Sequence, residues 1–249
     1  MNCIDLTPSH KRTPESFILS NDDVHIWSAS LNQTEAHHRQ FLQTLSRTEL
    51  ARMSHHTDEK KKKHFTLSHG LLRTILGRYL GIEASEVRIR YEQHGKPVLA
   101  QSYRSEALHF SLSHSFDRVI FGLVRNRRIG IDLEYVRPIS GIDHITKRFF
   151  SMSEHALLQS LPKNQKLRTF FQIWTRKEAY IKAWGKGILQ PMGWFDVSRE
   201  PGKVTGAFNG SGKAQEFSGW SHRDIIPFGG HLAAVAVEGF NWQLSHKQL

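Results

Sequence analysis

Two carboxylates stand one residue apart in an aliphatic run, Ile129-Gly130-Ile131-Asp132-Leu133-Glu134. In a strand, alternate side chains share a face. Asp132 and Glu134 therefore point one way, and Ile129, Ile131 and Leu133 point the other way, into a core. Two like charges side by side repel unless water or a cation compensates. Hard divalent cations take such oxygen ligands, often one or two carboxylates plus a substrate phosphate. A solvated strand face would carry the same residues, because exposed carboxylates are common. A second cluster lies in Trp174-Thr175-Arg176-Lys177-Glu178-Ala179-Tyr180-Ile181-Lys182-Ala183-Trp184. On a helix, Glu178 and Lys182 are four apart and share a side. An ordinary surface ion pair there contributes about 0.3–0.5 kcal/mol. The surrounding Phe170, Phe171, Trp174, Tyr180, Ile181 and Trp184 argue for burial instead, where a metal for the carboxylate and a phosphate for the amine would supply partners.

Two further groups could bind phosphate. Phe110-Ser111-Leu112-Ser113-His114-Ser115 offers Ser113 and His114 as hydrogen-bond donors, although a strand histidine is more often structural. Arg52, the run Lys60 to Lys63, His64, His69 and Arg73 form a basic stretch that reads either as a solvated helix face or as a set of phosphate ligands. No GxxxxGK[ST], GxGxxG or HExxH pattern occurs, which argues against the common nucleotide loops and zinc proteases.

The elements that must position these groups follow from the 249-residue chain's patterning. Residues 1 to about 20 read as a loose lead-in. Val24 to Ala29 alternates as a strand. Ser46-Arg47-Thr48-Glu49 is a capping-box pattern opening a helix to about His55. Lys60 to Leu80 is a longer helix, stopped by Gly81. Val87 to Tyr91 is a strand, followed by a turn at His94-Gly95-Lys96-Pro97, and His109 to Ser113 alternates again. Arg118 to Val124 and Ile129 to Tyr135 flank Arg125-Asn126-Arg127-Arg128, which predicts a hairpin. Helices are expected over Ser153 to Gln159 and Lys166 to Trp184, the second ended by Gly185-Lys186-Gly187. Phe195 to Val197, Gly202 to Phe208 and Leu232 to Val237 read as strands, with a Gly-rich connection between the last two.

The two halves echo each other. Ser46-x-x-Glu49 opens a short helix, and a long one ends at Gly81, 35 residues beyond Ser46; Ser151-x-x-Glu154 does the same, with Gly185 34 residues beyond Ser151. The pattern predicts an α+β fold of two similar halves, each with long helices followed by strands, joined near 125–128. The single cysteine, Cys3, allows no disulfide within the chain. No apolar run reaches the length of a membrane helix, and the N-terminus lacks a signal-peptide core, so a cytoplasmic protein is expected. The net charge of +11 points to an acidic partner: nucleic acid, a phosphorylated small molecule or an acidic protein.

The combination of Ile129 to Glu134 with Trp174 to Lys182, about 40 residues later, resembles the two-part motif of the 4′-phosphopantetheinyl transferases, G-[IV]-D followed by [FW]-[SCT]-x-K-E-[AS]-x-x-K. The likeness extends through His94 to Pro97, Phe110 to Ser115 and Lys147-Arg148-Phe149-Phe150-Ser151, over about residues 46 to 190; the first 20 and last 40 carry no motif of the family. The length resembles the Sfp type, a pseudo-dimeric monomer. That likeness implies two halves related by a pseudo-twofold, each with a small, mostly antiparallel sheet packed on a long helix. An N-terminal half (1–125) would supply coenzyme A nucleotide contacts, a C-terminal half (126–249) the metal site and catalytic helix, and the active site would lie in the cleft between them.

The resemblance implies transfer of the phosphopantetheine arm of coenzyme A to a serine of an apo carrier protein, with adenosine 3′,5′-bisphosphate leaving. Asp132, Glu134 and Glu178 would hold Mg²⁺, or Mn²⁺. Glu178 would also activate the serine, and Lys182 would steady the transferred phosphate. Ser113 and His114 match an element contacting the coenzyme A phosphates. Lys96 matches a lysine beside the nucleotide, and Arg52 and Lys63 match basic positions near the 3′-phosphate. His69 stands where many relatives carry arginine, and a neutral imidazole binds phosphate less strongly. Carriers of fatty-acid, polyketide and peptide synthesis are acidic around the modified serine, which suits the basic charge. A membrane partner and a specific nucleic-acid partner are not expected. The alternatives are a nucleic-acid-binding protein, which the charge and aromatics allow, and a Mg²⁺-dependent phosphohydrolase using the same carboxylates.

Overall fold

Residues 17–185, 192–198, 205–206 and 219–249 are described in the computed structural model. The chain opens with β1 (Asp23–Ser30), α1 (Glu35–Leu42) and α2 (Arg47–Ser54), and continues with the 22-residue α3 (Glu59–Leu80). A small hairpin of β2 (Ile89–Tyr91) and β3 (Pro97–Leu99) precedes β4 (Leu108–Ser115) and β5 (Arg118–Arg125). The second half begins at β6 (Ile129–Tyr135), followed by α4 (Ile142–Phe149), α5 (Met152–Ser160) and the 22-residue α6 (Lys163–Trp184). Short strands β7 (Phe195–Asp196) and β8 (Thr205–Gly206) pair with each other, and β9 (Trp220–Ile225), β10 (His231–Glu238) and β11 (Gln243–Gln248) complete the chain.

The halves share one plan. In the first, β1 pairs antiparallel with β5, and β5 with β4; in the second, β6 pairs with β10, and β10 with β9. Both capping boxes form, Ser46 with Glu49 and Ser151 with Glu154. Both long helices stop at a glycine in the left-handed region, Gly81 (φ 67°) and Gly185 (φ 80°), where a side chain would be strained. Each capping-box glutamate is fully buried and meets a cation on its long helix. Glu49 pairs with Arg73 at 2.8 Å, and Glu154 with Lys177 at 2.8 Å. Arg73 and Lys177 are each the fifteenth residue of their helix.

Three apolar clusters hold this plan together. One packs α3 on β1, β4 and β5 through Leu72, Ile75, Leu76, Trp27 and Phe121. A second packs α6 on β9 and β10 through Tyr180, Ile181, Trp220 and Ala234. The third lies between the two sheets and includes Ile26, Ile120, Ile129, Ile131, Leu133 and Val235. The expected alternation in β6 therefore holds: its aliphatic residues face the inter-sheet core, and Gly130, Asp132 and Glu134 face α6.

Several elements differ from expectation. Residues 125–128 do not form a hairpin, because both edges of β5 are already paired, with β1 and β4. The chain instead leaves one sheet and enters the other at Asn126, whose φ is 55°. The β4–β5 hairpin turns at Phe116-Asp117. Phe17 and Leu19, within the expected lead-in, are buried, and Phe17 stacks on Trp27 at 4.8 Å. The sequence pattern predicts none of α1, α4, β3, β9 or β11; β11 runs parallel to β1 and closes the edge of the first sheet. Cys3, Lys186, Gly187, residues 209–218 of the Gly-rich connection and most of the expected strand 202–208 lie outside the described residues. No helix among the described residues is long and apolar enough to cross a membrane.

Candidate active site

The two halves meet where β4 lies beside β6, and serine hydroxyls span the seam. Ser111, Ser113 and Ser115 alternate along β4, so all three face β6. Ser111 Oγ accepts from the Ile131 amide at 3.1 Å. Ser113 Oγ donates to Asp132 Oδ1 at 3.0 Å. Ser115 Oγ donates to Glu134 Oε2 at 3.0 Å and accepts from the Tyr135 amide at 3.0 Å. A strand pair that lacks a continuous backbone ladder is thus joined by side chains, which leaves the carboxylates of β6 open on the α6 side.

Helix α6 lies directly on β6 at Gly130. A Cβ at this position would come within 1.9 Å of the Ala179 carbonyl oxygen and 2.4 Å of the Ala183 nitrogen. That close approach brings Glu178 and Lys182, one helical turn apart, over Asp132. Lys182 Nζ donates to Asp132 Oδ1 at 2.7 Å and to Ser113 Oγ at 2.8 Å. Glu178 and Asp132 are buried, at 3% and 5% exposure. Asp132 Oδ2 and Glu178 Oε1 are buried without a hydrogen-bond partner. Burial, then the charge of Asp132, and in smaller measure that of Glu134, push the Glu178 carboxyl up to about 7 against the pull of Lys182. Glu134 is also raised, by burial first and Asp132 second. Crowded carboxylates with orphaned oxygens form a donor set that suits a hard divalent cation in charge and atom type. As they stand, no three His, Cys, Asp or Glu side chains among the described residues are arranged to hold an ion, and the Lys182 ammonium occupies the flank of Asp132.

Beside this centre a cavity of about 270 Å³ opens between the His94–Pro97 turn, β4 at Ser111 and Leu112, and the end of α6 at Ile181, Lys182 and Gly185. Lys96 crosses it, donating from Nζ to the Lys182 carbonyl at 2.6 Å, and burial lowers its pKa. His114 keeps an open face to solvent. The protein packed around its ring, and then the charges of Lys182, His64, His69 and His56, hold its pKa below the ordinary imidazole value.

The basic residues part company. Arg52 lies over the Tyr91 ring at 4.1 Å and close to Gly95, at the rim of the cavity. His69 is buried, stacked on Phe65 at 4.0 Å, with Nδ1 3.3 Å from Glu49 Oε1. Lys63 is paired with Glu35 of α1, in a groove between α1 and α3, and the structure does not gather it with Arg52. Arg73 and Lys177 are taken up by the buried ion pairs; Lys177 also donates to the Met192 carbonyl at 2.8 Å. The sequence reading did not give Ser111 and Ser115 a role. Their alternation with Ser113 was the available signal, and it acquires meaning only once β6 lies alongside.

Comparison with known proteins agrees with this geometry. Residues 128–236 match the 4′-phosphopantetheinyl transferase superfamily, and residues 27–122 match the N-terminal region of 4′-phosphopantetheinyl transferases. The chain is 40% identical over 230 residues to the 4′-phosphopantetheinyl transferase HetI of Nostoc sp., covering 92% of this chain and 94% of the relative. The chain belongs to the 4′-phosphopantetheinyl transferase superfamily. It is 34% identical over 139 residues to the transferase Sfp of Bacillus subtilis, covering 55% of this chain and 59% of that one. With AcpT of Escherichia coli it shares 37% over 102 residues, 41% of this chain and 51% of the relative. The protein is accordingly an enzyme that moves the phosphopantetheine arm of coenzyme A to an apo carrier protein. The nucleic-acid and phosphohydrolase readings give way to that activity.

Proposed function

We propose that the transfer takes place at the seam, in the cleft between an N-terminal half (1–125) and a C-terminal half (126–249). The observation that carries this is the convergence of Asp132, Glu134 and Glu178 with Lys182, including two buried carboxylate oxygens that have no partner. Asp132, Glu134 and Glu178 would hold Mg²⁺, or Mn²⁺, which when bound neutralises phosphate charge. Lys182 and Ser113 present donors to the transferred phosphate, and His114, Lys96 and Arg52 line the way to the nucleotide. Those groups bind the donor and orient its diphosphate. Glu178 accepts the proton from the hydroxyl of the carrier serine. The serine oxygen then bonds to the phosphorus bearing the pantetheine arm. The bond from that phosphorus to the bridging oxygen breaks, and adenosine 3′,5′-bisphosphate leaves with the electron pair. His69 and Lys63, turned to Glu49 and Glu35, contribute less to the nucleotide site than their resemblance implied. The acceptors are acidic carriers of fatty-acid, polyketide or peptide synthesis, met in the cytoplasm by a monomer.

Glu178→Gln tests the proton-accepting role. The amide keeps the shape and removes the base, so kcat falls by at least about a hundredfold. Because Glu178 is also a proposed metal ligand, turnover is read at saturating Mg²⁺ and coenzyme A, where loss of the base remains. A variant with ordinary turnover would remove Glu178 from the reaction.

A further inference from the structure

Phe116 occupies the first position of the two-residue loop joining β4 and β5, with φ at 58°. Positive φ in such loops favours glycine, asparagine or aspartate, because a larger side chain crowds its own backbone. A phenylalanine placed there for folding should recover that strain by burying its ring. This one does not: Phe116 is 63% exposed. One face of the ring stacks on Tyr135 at 5.1 Å and 21°, and the Lys60 ammonium lies 5.3 Å from its centroid. A strained backbone that presents a braced aromatic ring to solvent points to a functional constraint.

The position indicates what that function is. Ser115, the preceding residue, bonds Glu134, and Tyr135 directly follows Glu134. The ring therefore stands at the end of the seam that carries Glu134. Lys60 borders the ring, and Arg137, half-exposed, lies 3.6 Å from Glu134. Exposed, rigidly backed aromatics flanked by cations are typical anchors of protein interfaces. The acceptor must bring its serine to the carboxylate centre and carries acidic residues around that serine, which complements Lys60 and Arg137. We propose that Phe116, backed by Tyr135 and flanked by Lys60, is the anchor on which the apo carrier protein docks. This inference rests on the assignment of the seam as the reaction centre.

The test uses the full chain and a fluorescent panel of acyl, peptidyl and aryl carrier proteins whose acceptor serine is replaced by alanine. Binding is then read independently of transfer. Phe116→Asn suits the positive φ, so its melting temperature stays at the parent value, yet the carrier bound by the parent is held roughly tenfold more weakly. Phe116→Tyr keeps the stack and restores binding. The Kd for coenzyme A is the same in all three proteins. If the asparagine variant loses carrier binding while Asp132→Ala still modifies the carrier with its serine intact at the parent's rate, the docking surface stands and the reaction centre falls. Carrier affinity equal in the parent and Phe116→Asn overturns the inference. So does a loss confined to coenzyme A binding, which would assign the ring to the donor.

Discussion

Ser115 acts on two neighbours at once: its hydroxyl donates to Glu134 and accepts from the Tyr135 amide. Removing the hydroxyl leaves Glu134 free to turn toward solvent and Arg137. Ser115→Ala should therefore weaken Mn²⁺ binding, read by electron paramagnetic resonance without any carrier present, by about 10- to 100-fold. Unchanged Mn²⁺ affinity would make the seam serines purely structural. At this scale the sequence was legible where chemistry and periodicity coincide. Alternation in Ile129 to Glu134 was enough to put Asp132 and Glu134 on one face, and four-residue spacing put Glu178 with Lys182. It was not legible where a partner comes from far along the chain. Lys177 sits beside Glu178 in the motif and looks equally available, yet it is fully buried against Glu154, 23 residues earlier. Lys63 resembles a phosphate ligand until α1, which supplies Glu35, is in place.

The elements are fixed by their ends and by a few buried contacts between them. Lys177 ties α6 to Glu154 at the start of α5 and to the carbonyls of Met192 and Phe195. A lone buried carboxylate is far more costly than a paired one. Lys177→Met should destabilise the protein by about 3–5 kcal/mol, and adding Glu154→Leu should recover much of that loss, because a buried ion pair and an apolar pair of similar volume are often near neutral. Urea unfolding of both variants measures this; a single variant as stable as the parent would deny the pair its structural part. Capping boxes and terminal glycines made both long helices and their partners readable. The short helices α1 and α4 bury little, Phe41 in one and Thr146 in the other, and so left a faint pattern. Strand β11, Gln-Leu-Ser-His-Lys-Gln, is largely polar and pairs with β1 across more than two hundred residues, which no local signal announces. The predicted hairpin at 125–128 failed for a related reason. A polar turn between two strands looks the same whether the chain folds back or crosses to another sheet, and only the occupied edges of β5 decide between them.

Across the whole molecule, one plan is used twice and then differentiated. Glu49 with Arg73 repeats as Glu154 with Lys177, and each sheet, of four strands in the first half and three in the second, lies against a 22-residue helix. The second half differs in β6, where two carboxylates replace apolar or neutral residues, and in α6, where Glu178 and Lys182 reach over them. The first half contributes the serine strand, Lys96 and the basic rim. The proposed reaction centre is complete only where the halves meet, and a net charge of +11 alone leaves three classes of partner open. The claim on which the account depends is that Asp132 and a divalent cation act together in transfer to a carrier serine. The most direct measurement is the intact mass of apo carrier proteins after incubation with the enzyme, coenzyme A and Mg²⁺, repeated with EDTA and with Asp132→Ala. A phosphopantetheine adduct is expected on the carrier with the parent enzyme and Mg²⁺, and none with EDTA or with the variant, whose circular dichroism matches the parent's. An adduct formed in EDTA, or by Asp132→Ala at the parent's rate, would contradict that claim.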